Sequence, residues 1–333
     1  MVDMSFLITG GAGYIGSHVV RALTNSGEKV VVLDDLSTGD VRRIPAGTPV
    51  VIGSTLDREL LDRTLREHRI TGIVHLAAKK QVAESVALPL HYYRENVHGL
   101  TVLLEAAAEA GVRSFLFSSS AAVYGMPDLD VVTEDTPCAP INPYGETKLA
   151  GEWLVRAAGA ATGMSTACLR YFNVAGAAVP ELADTGVFNL VPMVFEKLDA
   201  GAPPAVFGDD YPTPDGTCIR DFVHVEDLAD AHRVVAQSLA ERPERCDLTY
   251  NIGRGEGTSV RRMIGDIVSL TGHDGIEPRI EPRRAGDPAR VVAAAGRIAD
   301  ELGWTARHDT AAMITSAWAG WRHHRPTDAR SAS

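Results

Sequence analysis

The sequence predicts an α/β fold, a doubly wound parallel sheet followed by a smaller C-terminal α/β lobe. The first half alternates short apolar runs with amphipathic stretches, the pattern of repeated strand–helix units whose sheet is covered on both faces. A glycine-rich turn follows the first run. Past about residue 175, Gly and Pro become frequent (Gly201, Pro203, Pro204, Pro212, Pro214) and the alternation lapses, which marks a change of architecture.

Residues 6–8 read as a short buried strand. The turn then opens a helix running through Val19 and Leu23 to Gly27. Residues 30–33 are a second strand ending in Asp34, and 50–52 a third. Leu60, Leu61 and Leu65 lie near helical spacing, so 58–68 form a helix. Residues 73–76 are a fourth strand, 101–110 an Ala-rich helix and 115–118 a fifth strand. Right-handed crossovers put any ligand at the carboxyl ends of these strands.

The 333 residues are 45% apolar and 23% charged, with a net charge of −11. That balance is ordinary for a globular chain and disfavours nucleic acid or acidic membranes as partners. An anionic ligand needs a local cationic pocket. Cys138, Cys168, Cys218 and Cys246 are widely spaced, with no CxxC pair, so neither a disulfide framework nor a metal centre is expected. There is no basic leader and no apolar run of about 18 residues, which reads as a cytoplasmic enzyme.

Gly10, Gly13 and Gly16 stand at three-residue intervals after a strand and before a helix. Such glycines allow a tight turn and close approach of a pyrophosphate, which the helix N-terminus favours. Asp34 follows Gly16 by 18 residues, where a carboxylate binds ribose hydroxyls and repels a 2′-phosphate. The cofactor read from this is NAD in a Rossmann-type domain. The expected division is an NAD-binding domain over 1–175, a mainly substrate-binding lobe over 176–322 and a frayed tail over 323–333. Segments near 219–250 are expected to return to the first domain, residues 221–225 among them.

Tyr144 and Lys148 are four residues apart, so on a helix they share a face. A neighbouring cation, reinforced by an oxidised nicotinamide, favours phenolate and lowers the tyrosine pKa, which suits Tyr144 to take a proton from a substrate hydroxyl. Ser120 can hydrogen-bond the same oxygen. A Tyr and a Lys at this spacing are ordinary surface packing by themselves; the upstream glycine turn and the serine cluster change that reading.

Together these motifs resemble the extended short-chain dehydrogenase/reductase superfamily. More narrowly the chain resembles the UDP-galactose (UDP-glucose) 4-epimerase family. The resemblance rests on residues 9–18, 83–86, 92–93, 118–125, 143–149, 169–173, 207–217, 220–225 and 282–287. It implies C4 epimerisation of a UDP-sugar through a 4-keto intermediate, with bound NAD, in a homodimer. It implies that Tyr14, Ile15, Asp34, Asp35, Leu36, Ser37, Thr38 and Gly39 line the adenosine and phosphate side. Ser54, Thr55, Leu76, Ala77, Ala78, Lys80, Asn96 and Ser118 continue the cofactor path. Lys148 would hold the nicotinamide ribose, flanked by Tyr171 and Phe172. Lys80, Ser120, Ala121, Ala122, Tyr144, Phe172, Asn173, Asn189, Leu190, Ala205, Val206, Phe207, Arg220, Arg284, Asp287 and Val291 would hold the nucleotide sugar. The arginines suit a diphosphate, which guanidinium binds bidentately.

Four positions depart from the family pattern. Ser54 stands where an Asp usually reaches the adenine. Glu95 stands where an Asn is common and would not welcome a phosphate. Ala122 replaces a Thr, removing one sugar-side hydroxyl. Val291 takes the place that gates the C2 substituent, so N-acetylhexosamine forms are expected to fit as well. Alternatives are a uronic acid or dTDP-sugar epimerase, a dehydratase, a net reductase and a non-catalytic dinucleotide sensor. A dehydratase needs acids after the serine cluster, where Ala121 and Ala122 stand. Sensors commonly lose the Tyr or the Lys.

Overall fold

In this computed structural model the described residues are 4–325 apart from 243 and 285. The first half runs β1 (Ser5–Thr9), α1 (Tyr14–Asn25), β2 (Lys29–Asp34), β3 (Val50–Ile52), α2 (Arg58–Glu67) and β4 (Gly72–His75). Next come α3 (Val82–Ala87), α4 (Pro89–Tyr92), a π-helical turn (Tyr93–His98), α5 (Gly99–Glu109), β5 (Ser114–Ser118), α6 (Pro143–Thr162) and β6 (Ser165–Tyr171). The second half runs β7 (Asn173–Ala175), α7 (Leu190–Asp199), β8 (Ala205–Phe207), β9 (Ile219–His224), α8 (Val225–Glu241) and β10 (Asp247–Ile252). It ends with β11 (Gly257–Ser259), α9 (Val260–Leu270), β12 (Arg279–Glu281), β13 (Arg290–Val291), α10 (Gly296–Leu302) and α11 (Thr310–His324).

The apolar runs become strands buried on both faces. Along β1, Phe6 and Ile8 join Val19, Leu23, Leu228 and Val235 of α1 and α8. Leu7, pointing the other way, joins Leu61, Leu103 and Val155 of α2, α5 and α6. This is the period-2 alternation of a strand sandwiched between helix layers. Seven strands form one parallel sheet in the order β10-β6-β5-β4-β1-β2-β3. The order reverses at β1, between β2 and β4, and a crevice opens at the carboxyl ends there.

After Tyr171 the chain leaves this sheet. β7, β11 and β13 all pair with β9, and β8 pairs with β12. Phe195, Ile264, Met313 and Trp321 form the core of this second unit. Residues 221–225 do not return to the large sheet as expected. Most of that stretch is β9 of the second unit, and the segments that come back are α8 and β10. β9 mixes apolar residues with Arg220, Asp221 and His224, and its sheet is decided by its pairing with β7, β11 and β13. α11 reaches His324 and so covers the first two residues of the expected tail; residues 326–333 lie outside the described residues. Among the described residues no helix is long and apolar enough to cross a membrane.

Candidate active site

The glycine turn closes tightly over the crevice. Gly10 has φ +71°, and a Cβ there would stand 2.7 Å from the Ala77 nitrogen. At Gly16 a Cβ would stand 2.0 Å from the Gly10 oxygen. A Cβ at Gly13 would meet only that same oxygen, at 3.3 Å, and no side chain caps α1. The helix N-terminus is therefore left for an outside anion. The Asp34 carboxylate accepts from Ala12 N and Leu36 N, both at 2.9 Å. Burial raises its pKa, and these two backbone bonds pull it down.

One cleft runs from Asp34 to Lys148. Gly10, Gly13, Tyr14, Ile15, Gly16, Asp34, Asp35, Ser37, Thr38, Ser54, Thr55, Leu76, Ala77, Ala78, Lys80, Tyr144, Lys148 and Tyr171 line it. Several expected contacts do not. Asn96 is spent on structure. Its Oδ1 accepts from Lys79 N (2.8 Å), and its Nδ2 donates to Lys79 O (2.9 Å) and Thr147 Oγ1 (3.0 Å), so it pins the loop that lines the cleft. Ser118 is fully buried, with its Oγ 2.8 Å from His232 Nε2. Leu36, Gly39 and Phe172 also lie off the lining. At Gly39 a Cβ would meet Asp34 Oδ1 at 2.7 Å. Phe172 is buried in an apolar cluster with Val123, Leu149 and Val291.

The sequence reading missed Arg43, Lys79, Gln81 and Glu84, which also line the cleft. Lys79 Nζ sits 3.2 Å from Ser37 Oγ, and Arg43 donates to Ala183 O at 3.1 Å. Arg43 ends a 3-10 turn (Val41–Arg43) and Lys79 sits on the loop after β4, so neither shows the periodicity of a strand or a long helix.

The reactive group sits where α6 meets the end of β5. Asn142 caps α6, accepting from Gly145 N at 2.9 Å, with Pro143 at its first turn. Tyr144 and Lys148 are both buried, at 8% and 3% exposure. Lys148 Nζ donates to Ser118 O at 2.8 Å and lies 5.1 Å from the Phe117 ring centre. Burial lowers Lys148 to about 8. Burial raises Tyr144, and a hydrogen bond from Ser120 pulls it back down. In the chain without nucleotide burial is the larger effect on Tyr144, and the Lys148 ammonium donates to the β5 carbonyl. The same cation, together with burial, keeps His75 neutral, its pKa lowered to about 3.

The residues expected to hold the nucleotide sugar in the second unit lie outside the lining of that cleft; there Arg220 Nη2 lies 3.7 Å from Asp287 Oδ1. Val291 is in register with Arg220, and the Arg284 guanidinium is 3.7 Å from the Phe207 ring centre. Asn173 opens β7, and Ala205, Val206 and Phe207 form β8. Val206 is wholly buried in the second core, so any contact it makes with a ligand is through its backbone. Asn189 stands just before α7, next to Leu190, with no capping bond from its side chain, and its Nδ2 donates to Asp184 Oδ2 at 3.0 Å. Elsewhere the ligand atoms of His224, Glu226 and His308 come within 4.8 Å of one another. Both His224 ring nitrogens are already engaged, with Glu226 N (3.0 Å) and Ser316 Oγ (2.9 Å).

The family model described as "NAD dependent epimerase/dehydratase family" matches residues 6–253. The chain belongs to that family. It is 46% identical to the UDP-glucose 4-epimerase of Azospirillum brasilense, over 95% of this chain and 91% of that one. Among solved structures, this epimerase-family chain is similar to a UDP-glucose 4-epimerase from Stenotrophomonas maltophila with bound NAD and formylated UDP-arabinopyranose. The TM-score is 0.90 and the identity 39%, covering 96% and 98% of the two chains. The UDP-Glc/GlcNAc 4-epimerase of Campylobacter jejuni matches at TM-score 0.84 and 36% identity, covering 96% and 99%. The cofactor is NAD. The ribose carboxylate, the side-chain-free glycine cradle and the uncapped helix suit a dinucleotide.

Proposed function

We propose that this chain interconverts UDP-galactose and UDP-glucose by epimerisation at C4. The observation that carries the reading is the stripe Tyr144–Lys148 on α6, buried beside Ser120 in the same cleft as the glycine turn. When bound, NAD⁺ supplies the acceptor and then the donor of the C4 hydride. Tyr144 Oη takes the C4 hydroxyl proton and returns it after the 4-keto sugar has turned over. Ser120 steadies that phenol. Lys148 holds the nicotinamide ribose. Arg220 and Arg284 grip the diphosphate, so binding energy remote from C4 leaves the sugar free to rotate.

The test is incubation of purified protein with UDP-galactose and no added cofactor. Conversion without accumulation of reduced cofactor, lost about 100-fold or more in Tyr144→Phe, is expected. Steady release of reduced cofactor would instead make this a dehydrogenase.

We also read Val291 as a small gate that admits an N-acetyl group at C2. The assembly is a cytoplasmic homodimer, supported by exposed Leu90 (83%) and Trp153 (60%) on α4 and α6. Sedimentation at micromolar concentration distinguishes a dimer from a monomer.

A further inference from the structure

α6 carries a third buried polar residue in the Tyr144–Lys148 stripe. Glu152 is four residues past Lys148 and is fully buried. The three side chains face three successive serines at the end of β5, making three rungs. The Ser120 hydroxyl, which also accepts from Ala122 N at 3.2 Å, works on the Tyr144 phenol against its burial. Lys148 Nζ donates to Ser118 O at 2.8 Å. Ser119 Oγ donates to Glu152 Oε1 at 2.6 Å.

Glu152 is itself fixed from behind. Arg170 of β6 donates Nε to Oε1 at 2.8 Å and Nη2 to Oε2 at 2.7 Å. Its Nη1 donates to Tyr124 OH (3.1 Å) and Glu134 O (3.0 Å), and Tyr124 OH donates to Asn251 Oδ1 at 2.6 Å. The carboxylate therefore ties β5, β6, α6 and, through Asn251, β10 into one buried network.

We propose that Glu152 is a positioning residue. By holding Ser119 inward it sets the backbone at Ser120, and so the hydrogen bond from Ser120 to Tyr144. The proposal deepens the role given to Tyr144 above. Four donors, Ser119 Oγ, Arg170 Nε, Arg170 Nη2 and, at 3.4 Å, Arg156 Nη2, converge on two carboxylate oxygens. An amide has a single acceptor oxygen, so Glu152→Gln sets its NH2 against at least one donor.

The experiment follows the ζ-carbon resonance of Tyr144 in ¹³C-tyrosine-labelled protein at neutral pH, assigned by its loss in Tyr144→Phe. Ser120→Ala moves this resonance by deleting the bond. Glu152→Gln is expected to move it in the same direction, and Glu152→Gln/Ser120→Ala no further than Ser120→Ala alone. Ser119→Ala removes one rung and keeps the Glu152–Arg170 pair intact; it should act likewise, and it serves where Glu152→Gln does not fold. An unmoved resonance in folded Ser119→Ala overturns the proposal, as does additivity in the double variant. In turnover of UDP-galactose, kcat should fall about 10- to 100-fold with KM within about twofold. Resonance shifts without any conversion by the wild type would sink the epimerase reading and leave the positioning role standing.

Discussion

Replacing Lys148 by Met should stabilise the nucleotide-free protein while removing its activity. Lys148 is 3% exposed, and burial takes its pKa from 10.5 to about 8. That gap corresponds to about 3 kcal/mol against the folded state at neutral pH. Met fills a similar volume without the charge. The variant loses the 2.8 Å bond to Ser118 O, which costs about 1–2 kcal/mol. A net gain of about 1–2 kcal/mol remains, or about 2 °C in Tm for a chain of this size. The sign with pH follows from a folded-state pKa lying below the unfolded one. The cost is fully present below pH 8 and disappears as pH rises to 10.5, because the unfolded chain keeps a proton that the folded chain has lost. The Met variant's advantage should therefore shrink across that window. Urea unfolding of both proteins at pH 7 and pH 10 reads this directly. A Met variant less stable than the wild type at pH 7, or a difference that ignores pH, would refute the reasoning.

Three further outcomes are expected. Gly16→Ala drives a Cβ to 2.0 Å from Gly10 O, so the turn must open; purified protein should carry little NAD, read from absorbance of the denatured extract, and full retention would contradict the cradle. Glu95 lines the cleft, so Glu95→Asn should tighten NAD binding about fivefold at low salt and less at high salt; an affinity indifferent to the change means the carboxylate faces away from the diphosphate. Val291→Tyr should cut turnover of UDP-N-acetylgalactosamine by about tenfold or more while sparing UDP-galactose, and equal losses for both sugars would rule out a gate.

The strands of the first half were legible in the sequence. Short apolar runs and glycine spacing sufficed for β1 to β5 and for the turn, because strands covered by helices on both faces carry apolar residues on both. Tyr144 and Lys148 were legible through helical spacing. What escaped depends on partners distant in sequence. Asn96 carries a site residue's chemistry, yet the π-helical turn directs it to Lys79 and Thr147. Val206 is apolar in a loop-rich stretch, and only the packing of α7 and α9 shows that it belongs to a core. β9 and β10 both mix apolar with polar residues, and their assignment to different sheets is decided by hydrogen-bond partners. The burial of Tyr144, which raises its pKa in the chain without nucleotide, is invisible in spacing.

The place of β10 at the edge of the large sheet has a consequence for how the chain is made. Its partner β6 ends at Tyr171, whereas β10 ends at Ile252. A ribosome adding about 5–20 residues per second needs roughly 4–16 s to cover that interval. Throughout it the nascent chain displays the backbone edge of β6, an open template for another strand. Deletion of β10 should leave newly made chains dependent on a holdase, and a chain stopped near residue 175 should be recovered mainly as aggregate.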